Sequence, residues 1–476
     1  MGAQNFFSET IDDALSTRLD SAQQYRNASS VAPWTIPSVA SVLTGLYPLQ
    51  HNAGLFDKQP ANLSVDLPSA LNESAVTLAD ILTEQQFRTA VFSAHPWITA
   101  KFGLAQGFEN LHSRKGWQKV TEKSRDWLDQ VIEPSPVQAN NEVQAIEQPA
   151  GQAKEAEPAP RFFAYLHFME AHDWHLKNPE ELQKRLAGVD PELRELLLED
   201  SSEAACIDDE NSEICLRNQV YNLAVRELRT AIADILQGLE DRDLLKNTLV
   251  MVYSDHGEEF WQHKTQHEKL TDPRGIYGFG HGHSLYEEML HIPLVAWHPG
   301  IKGAVRSDLV SLIDVLPSAL NWLGIEAPEN QLPGMPLPAG TDGQRETEDP
   351  RVVYASGIAY GPEGIAVREG QLKSIMRFPD EDFQYFDLSR DPMELRPTKS
   401  DRLTMRFDTL TGDYIDMKKE SIAFRPEVDE QTLEHLKSIG YLQGVEEQPD
   451  REPDKATSTG PDETPDTPDR EDSPEQ

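Results

Sequence analysis

At 476 residues the chain is long enough for one large domain and a smaller one. Its 81 acidic residues against 43 basic ones leave a formal charge of −38, which argues against nonspecific nucleic-acid binding, because that needs a basic footprint. No apolar run reaches the ~18 residues of a membrane-crossing helix and no secretory signal is visible, so no transmembrane segment is expected and the compartment is left open.

Along the chain, residues 1–34 are polar, with Asp12, Asp13 and Asp20 in a helical pattern. Pro33 to Pro48 then reads as a helix: Pro37 suits a first turn, Val39, Val42 and Leu43 make one face, and Gly45 is a stop signal. That puts the Thr35 hydroxyl at a helix N-terminus, where an anion is favoured. Apolar runs at Arg88–Ser93, Arg161–Phe168, Asn247–Ser254 and His291–Trp297 read as buried strands. Helical patterns cover Val76–Gln86, Gly116–Ile132, Asn218–Glu240 and Leu309–Leu323. Strand and helix in alternation predict an α/β fold: a mainly parallel central sheet with helices on both faces.

Pro134 to Pro160, rich in Pro, Gln, Ala and Glu, reads as a low-complexity surface insertion. Cys206 and Cys215 flank an acidic loop and are read either as a local disulfide or as two thiols. From Arg351 short strands take over at Val352–Ala355, Gly364–Arg368 and Leu372–Phe378. They predict a small antiparallel C-terminal subdomain. The expected organisation is a main domain over 1–340, a subdomain over 350–444 and a disordered tail over 445–476. The tail holds 12 acidic and 3 basic residues.

Chemistry-bearing residues fall at strand ends, where open α/β sheets bind ligands. Asp255 and His256 follow the third strand as Ser-Asp-His-Gly and suit half of a divalent-metal site. His281 and His283, two apart in a glycine-rich loop, precede the fourth strand. His167, Glu170, His172, Asp173 and His175 end the second. Imidazoles and carboxylates together suit zinc, manganese or an anionic oxygen. Thr35 is read either as a helix cap or as the nucleophile of an ester-cleaving enzyme.

These segments resemble the sulfatase family of the alkaline phosphatase superfamily over most of the chain, from about Leu19 to Leu442. Thr35-Ile-Pro-Ser-Val-Ala-Ser-Val-Leu-Thr-Gly-Leu-Tyr-Pro48 resembles the family's nucleophile motif. Phe102–Glu109 is similar to a recurring segment, and Ser254–Phe260 to the metal motif. His281–Leu294 resembles the loop and strand that follow, and Asp314–Leu320 the next helix entry. Phe383–Glu394 is similar to the C-terminal signature and Leu433–Leu442 to a closing helix.

The resemblance implies a metal-dependent hydrolase or transferase acting on sulfate or phosphate esters, with a small anionic ester as substrate. It implies Thr35 as nucleophile and Asp255, His256 and Thr35 as ligands of zinc, manganese or calcium. His172, His281 and His283 would then stabilise anionic oxygens, bind a second metal or protonate the leaving group.

Two departures qualify it. Sulfatases carry Cys or Ser at the nucleophile position, matured to formylglycine, with Arg four residues on. Thr35 and Val39 stand there instead. Threonine cannot be matured so, and it is the nucleophile of relatives that act on phosphate, which favours phosphoester chemistry. The family also opens on a buried strand ending in a metal-binding Asp. Residues 1–34 hold no such apolar run, so the chain is expected to begin downstream of that strand and lack one metal carboxylate. Weak or absent activity is expected of it as given. The rival readings are a degenerate, non-catalytic binding module and a true sulfuric ester hydrolase.

Overall fold

Strands that are apolar on both sides account for most of the architecture. The computed structural model describes residues 1–8, 11–56, 67–132, 160–172, 174, 178–199, 212–263, 278–328, 332–340, 350–379, 382–398 and 400–418, with positions 425, 426, 428, 430, 434 and 436. Residues 134–159, Asp173, His175, Cys206, the acidic tail and most of 433–442 lie outside these.

Four strands form one sheet: β1 (Gln23–Ser29), β5 (Val250–Tyr253), β8 (His291–Trp297) and β9 (Ala304–Ser311), in the order β5-β8-β1-β9. Three more, β2 (Arg88–Ser93), β3 (Asn110–Ser113) and β4 (Phe162–His167), are ordered β3-β2-β4. Pairings β1/β9, β2/β3 and β2/β4 are parallel, whereas β8 runs antiparallel to both β1 and β5. A short pair, β6 (Glu259–Phe260) and β7 (Phe279–Gly280), lies between β5 and β8 in sequence.

Helices cover both faces, and β4 shows why its sequence does not alternate. Phe162, Ala164 and Leu166 pack with Trp127 and Leu128 of α3 (Trp117–Ile132) and Leu239 of α4 (Glu213–Asp241). Phe163 turns to the other face, against Leu78 and Leu82 of α2 (Leu78–Glu84) and Leu316 of α5 (Val315–Leu323). A further helix, α1 (Thr35–Thr44), buries all ten residues and ends on Gly45 at φ +69°. A strand covered twice needs apolar residues on both sides.

The C-terminal strands β10 (Val352–Ser356), β11 (Gly364–Glu369), β12 (Leu372–Arg377) and β13 (Asp382–Asp387) form an antiparallel sheet in sequence order. Ile365, Val367 and Met376 share one apolar cluster with Tyr25, Ile292, Val310 and Phe407 of α6 (Asp401–Asp416). Residues Met1–Gly444 make one compact unit.

Three local expectations change. Leu309–Ser311 belongs to β9, and the helix starts at Val315 after a turn in which Ser311 N–H donates to Asp314 Oδ2 at 2.9 Å. β13 is a fourth strand that the short-run pattern did not separate. The opening segment is not only helical, because β1 lies inside its sheet between β8 and β9. Its sequence, Gln-Gln-Tyr-Arg-Asn-Ala-Ser, hides it. Gln24 donates to Leu19 O at 2.9 Å, Gln23 to Gly340 O at 3.0 Å and to Lys302 O, and Tyr25 to Pro338 O at 2.8 Å. Backbone carbonyls accept each of these donors, which offsets much of the penalty for burying them. A bulge at Arg26 further breaks the alternation.

Candidate active site

β1 and β5 point the same way, since both oppose β8, and their ends meet. Ser30, just past β1, donates its hydroxyl to Asp255 O, just past β5. His167, the last residue of β4, brings Nε2 to 3.8 Å from Asp255 Oδ2. The strand-end segments singled out in the sequence therefore converge on one edge.

Thr35 is the first residue of α1. The preceding Trp34, at the cap position, is extended and makes no side-chain cap, while the Thr35 hydroxyl turns to His256. The Thr35 hydroxyl is thus not spent on its own helix. Its Oγ1 lies 3.4 Å from His256 Nε2. His256 Nδ1 lies 2.8 Å from Gly257 O, a carbonyl that can only accept, so Nδ1 carries the proton and Nε2 presents a lone pair to Thr35. Burial, the largest influence, pulls the His256 pKa down to about 4, so the ring is neutral at pH 7. Gly257 makes the turn fit: its N–H donates to Met289 O at 2.7 Å, and a Cβ there would stand 2.0 Å from Glu288 O.

From His256 a row of imidazoles runs through the site. Ring centroids are 4.3 Å apart for His256 and His281, 5.0 Å for His281 and His172, 5.9 Å for His172 and His95, and 5.2 Å for His95 and His167. Burial holds His95 well below the usual histidine range. Two adjacent carboxylates orient the glycine-loop histidines. Glu258 Oε1 lies 2.8 Å from His281 Nδ1, and Glu259 Oε2 lies 2.6 Å from His283 Nε2. The structure therefore brings Thr35, His256, His281 and His172 together and couples His283 to Glu259. His95, Glu258 and Glu259 are the residues that sequence reasoning did not assign. His95 stands two residues past β2, so the strand-end rule applied to that strand would have found it.

A divalent cation fits this donor set. Ligand atoms of His256, Glu258 and His281 all lie within 4.8 Å of one another. Asp255 Oδ2 is 3.6 Å from His256 Nε2 and, though buried, accepts no hydrogen bond among the described residues. Burial alone would raise the Asp255 pKa, but the neighbouring His256 and His167 outweigh it and hold the carboxyl well below its usual range. Imidazole nitrogens beside carboxylates suit zinc or manganese. The Met1 amino group also reaches the site, donating to Ser254 Oγ at 2.6 Å and His256 O at 2.5 Å.

The sulfatase family model matches residues 2–325. Human arylsulfatase K is 28% identical over 232 residues, 46% of this chain and 41% of that protein. Choline-sulfatase of Rhizobium meliloti (strain 1021) is 26% identical over 208 residues, 43% of this chain and 37% of that protein. The chain thus spans about two-fifths of the curated relatives it matches. Among solved structures, one in complex with its substrate D-glucosamine-2-N,6-O-disulfate aligns with TM-score 0.59 at 16% identity, covering 89% of this chain and 97% of that one. A phosphonate monoester hydrolase from Silicibacter pomeroyi aligns with TM-score 0.54 at 17% identity, covering 88% and 94%. At such identities the structural likeness shows the fold alone.

Proposed function

Since this chain belongs to the sulfatase family, we propose that it hydrolyses an anionic sulfate or phosphate ester through a covalent ester on Thr35. The observation that carries this reading is the 3.4 Å approach of the Thr35 hydroxyl to the neutral His256 Nε2, at a helix N-terminus. Free N–H groups and the helix dipole there favour a tetrahedral anion. Asp255, His256 and Thr35 would hold a divalent cation, with Glu258 and His281 in reach. Such an ion, when bound, supplies the positive charge that lowers the pKa of the Thr35 hydroxyl.

Thr35 gives its proton to solvent, and its oxygen attacks sulfur or phosphorus in line. The bond to Thr35 Oγ1 forms as the bond to the leaving oxygen breaks. His172, beside His281 and His95, gives that oxygen a proton. Water then attacks the Thr35 ester and gives a proton to His172; the bond to Thr35 Oγ1 breaks, the sulfate or phosphate leaves with the new hydroxyl, and Oγ1 takes back a proton from solvent. An acceptor alcohol in place of water would make the same site a transferase. His281, oriented by Glu258, faces the anionic oxygens, and Glu259 holds His283 next to it in the same loop.

The substrate lies between two classes. Relatives named for aryl and choline sulfates support sulfate esters. Threonine in the nucleophile position favours phosphoesters. The test assays the purified chain with zinc, manganese or calcium against p-nitrophenyl sulfate, p-nitrophenyl phosphate and bis(p-nitrophenyl) phosphate. Thr35→Ala should lose at least ~10³-fold of the turnover. Wild-type rates from Thr35→Ala on every probe would end the proposal, and the fastest probe assigns the substrate class.

A further inference from the structure

The C-terminal sheet carries a buried lysine that the proposed mechanism does not use. Lys373, on β12, is 1% exposed, a rare state for lysine unless paired. Its ammonium lies 2.9 Å from Glu394 Oε1 and 2.9 Å from Glu287 Oε1. Glu394, also buried, accepts the Glu287 N–H at Oε2, 2.5 Å away. Its backbone is held at φ +54°, which aims its carbonyl at His263 Nε2, 3.2 Å away. His263 lies flat on Tyr286, ring centroids 3.7 Å apart, with Nδ1 2.6 Å from Glu288 Oε1. Its backbone N–H donates to Glu259 Oε1 at 3.0 Å, and the other oxygen of that carboxylate holds His283 Nε2 at 2.6 Å.

We infer that Lys373 is a positioning residue, acting through Glu394, His263 and Glu259 to fix the tautomer and direction of His283. Every link is buried, so the route has few alternative arrangements. A carboxylate that receives the His263 amide on one oxygen cannot rotate freely about the other, and the imidazole it holds keeps its proton on Nε2. Arg368 offers an internal comparison. It pairs with the same Glu287 at 2.8 Å, but its other hydrogen bonds go to Asn27 and to Gly370 O, not towards His263. The positioning role rests on the proposed reaction only for its kinetic arm.

The test uses the full chain labelled with ¹⁵N at histidine. In the wild type, His283 should show a proton on Nε2; an Nε2 without one overturns the inference before any variant is made. A Lys373→Met, Glu394→Gln double variant removes the pair without leaving a lone buried charge. It should shift the His263 and His283 ring-nitrogen signals and leave those of His51 in place. With the faster of p-nitrophenyl sulfate and bis(p-nitrophenyl) phosphate, kcat should fall about 10-fold, and more than in Arg368→Met. KM should stay within about threefold. Unchanged His283 signals in the folded double variant, or an equal kcat loss in Arg368→Met, would refute the role. If the wild type turns over neither probe, the proposed reaction fails while the ring-nitrogen spectra still decide this inference.

Discussion

Replacing Arg229 with Met should cost the fold about 2–3 kcal/mol. The guanidinium lies 1% exposed within α4. Its Nε and Nη2 donate to the two Asp13 oxygens at 2.7 Å each, Nη2 also to Ser16 Oγ at 2.8 Å, and Nη1 to Phe6 O at 2.6 Å. Removing one partner of a buried ion pair costs ~3–5 kcal/mol. The Asp13 side chain keeps 24% of its exposure, so water recovers part of its solvation and brings the loss down to about 2–3 kcal/mol. Methionine keeps an unbranched alkyl stem in place of that of arginine. With a urea m-value on the order of 4 kcal/mol/M for a chain this long, the midpoint should fall by roughly 0.5–0.8 M, read by tryptophan fluorescence. The pH dependence has a definite sign. Burial alone would raise the Asp13 pKa, but Arg229 outweighs it and depresses it. The pair's contribution is therefore full above the unfolded carboxylate pKa of about 4 and is lost as pH falls through the lower folded value. The gap between wild type and Asp13→Asn should hold steady from neutral pH to about 5 and shrink below about 4. An Arg229→Met midpoint equal to that of wild type, or a gap that widens in acid, would refute the reasoning.

His51 should make the fold acid-sensitive at a higher pH. It is buried, its Nδ1 accepts the Ala53 N–H at 3.0 Å, and its Nε2 lies 2.9 Å from Ser41 Oγ. Burial lowers its pKa to about 3, so stability present above about 6.5 is lost as pH falls towards 3, at up to ~1.4 kcal/mol per pH unit. His51→Gln should flatten that slope in urea titrations between pH 6.5 and 4, and an unchanged slope would remove His51 as its cause. Gly257→Ala should disorder the Asp255–His256 turn, because the new methyl meets the Glu288 carbonyl at 2.0 Å; a crystal structure with that turn unmoved would contradict this. Zinc or manganese at 100 times its dissociation constant should stabilise the chain by about 2.7 kcal/mol in thermal unfolding. His256→Gln should abolish most of that shift, and an equal shift in the variant would place the ion elsewhere.

Strands covered on both faces, such as Arg88–Ser93 and His291–Trp297, were legible because their apolar runs have no competing pattern. The run from Leu309 was not, since a continuous apolar stretch fits a buried strand and a buried helix equally until Ser311 and Asp314 close the turn. β1 escaped because its buried polar groups find carbonyl partners distant in sequence, which no local pattern records. The same limit applies at the site. Thr35, Asp255, His256 and His281 sit in motifs with their own neighbours. His95 is a lone imidazole in sequence, and its ring partners His167 and His172 come from another strand end. Nor does a Gly-His-Gly-His loop reveal which histidine faces His256 and which turns to Glu259.

The polar strand β1 has a consequence for how the chain finds one arrangement. Apolar strands tolerate sliding, because one greasy neighbour resembles another. Gln23, Gln24 and Tyr25 each end on particular carbonyls. A slip by one residue would exchange the two faces and strand those amides and the hydroxyl among apolar groups, at ~1–3 kcal/mol each. Because β1 leads towards Thr35, this alignment also sets the phase of the Thr35 hydroxyl relative to Asp255 and His256.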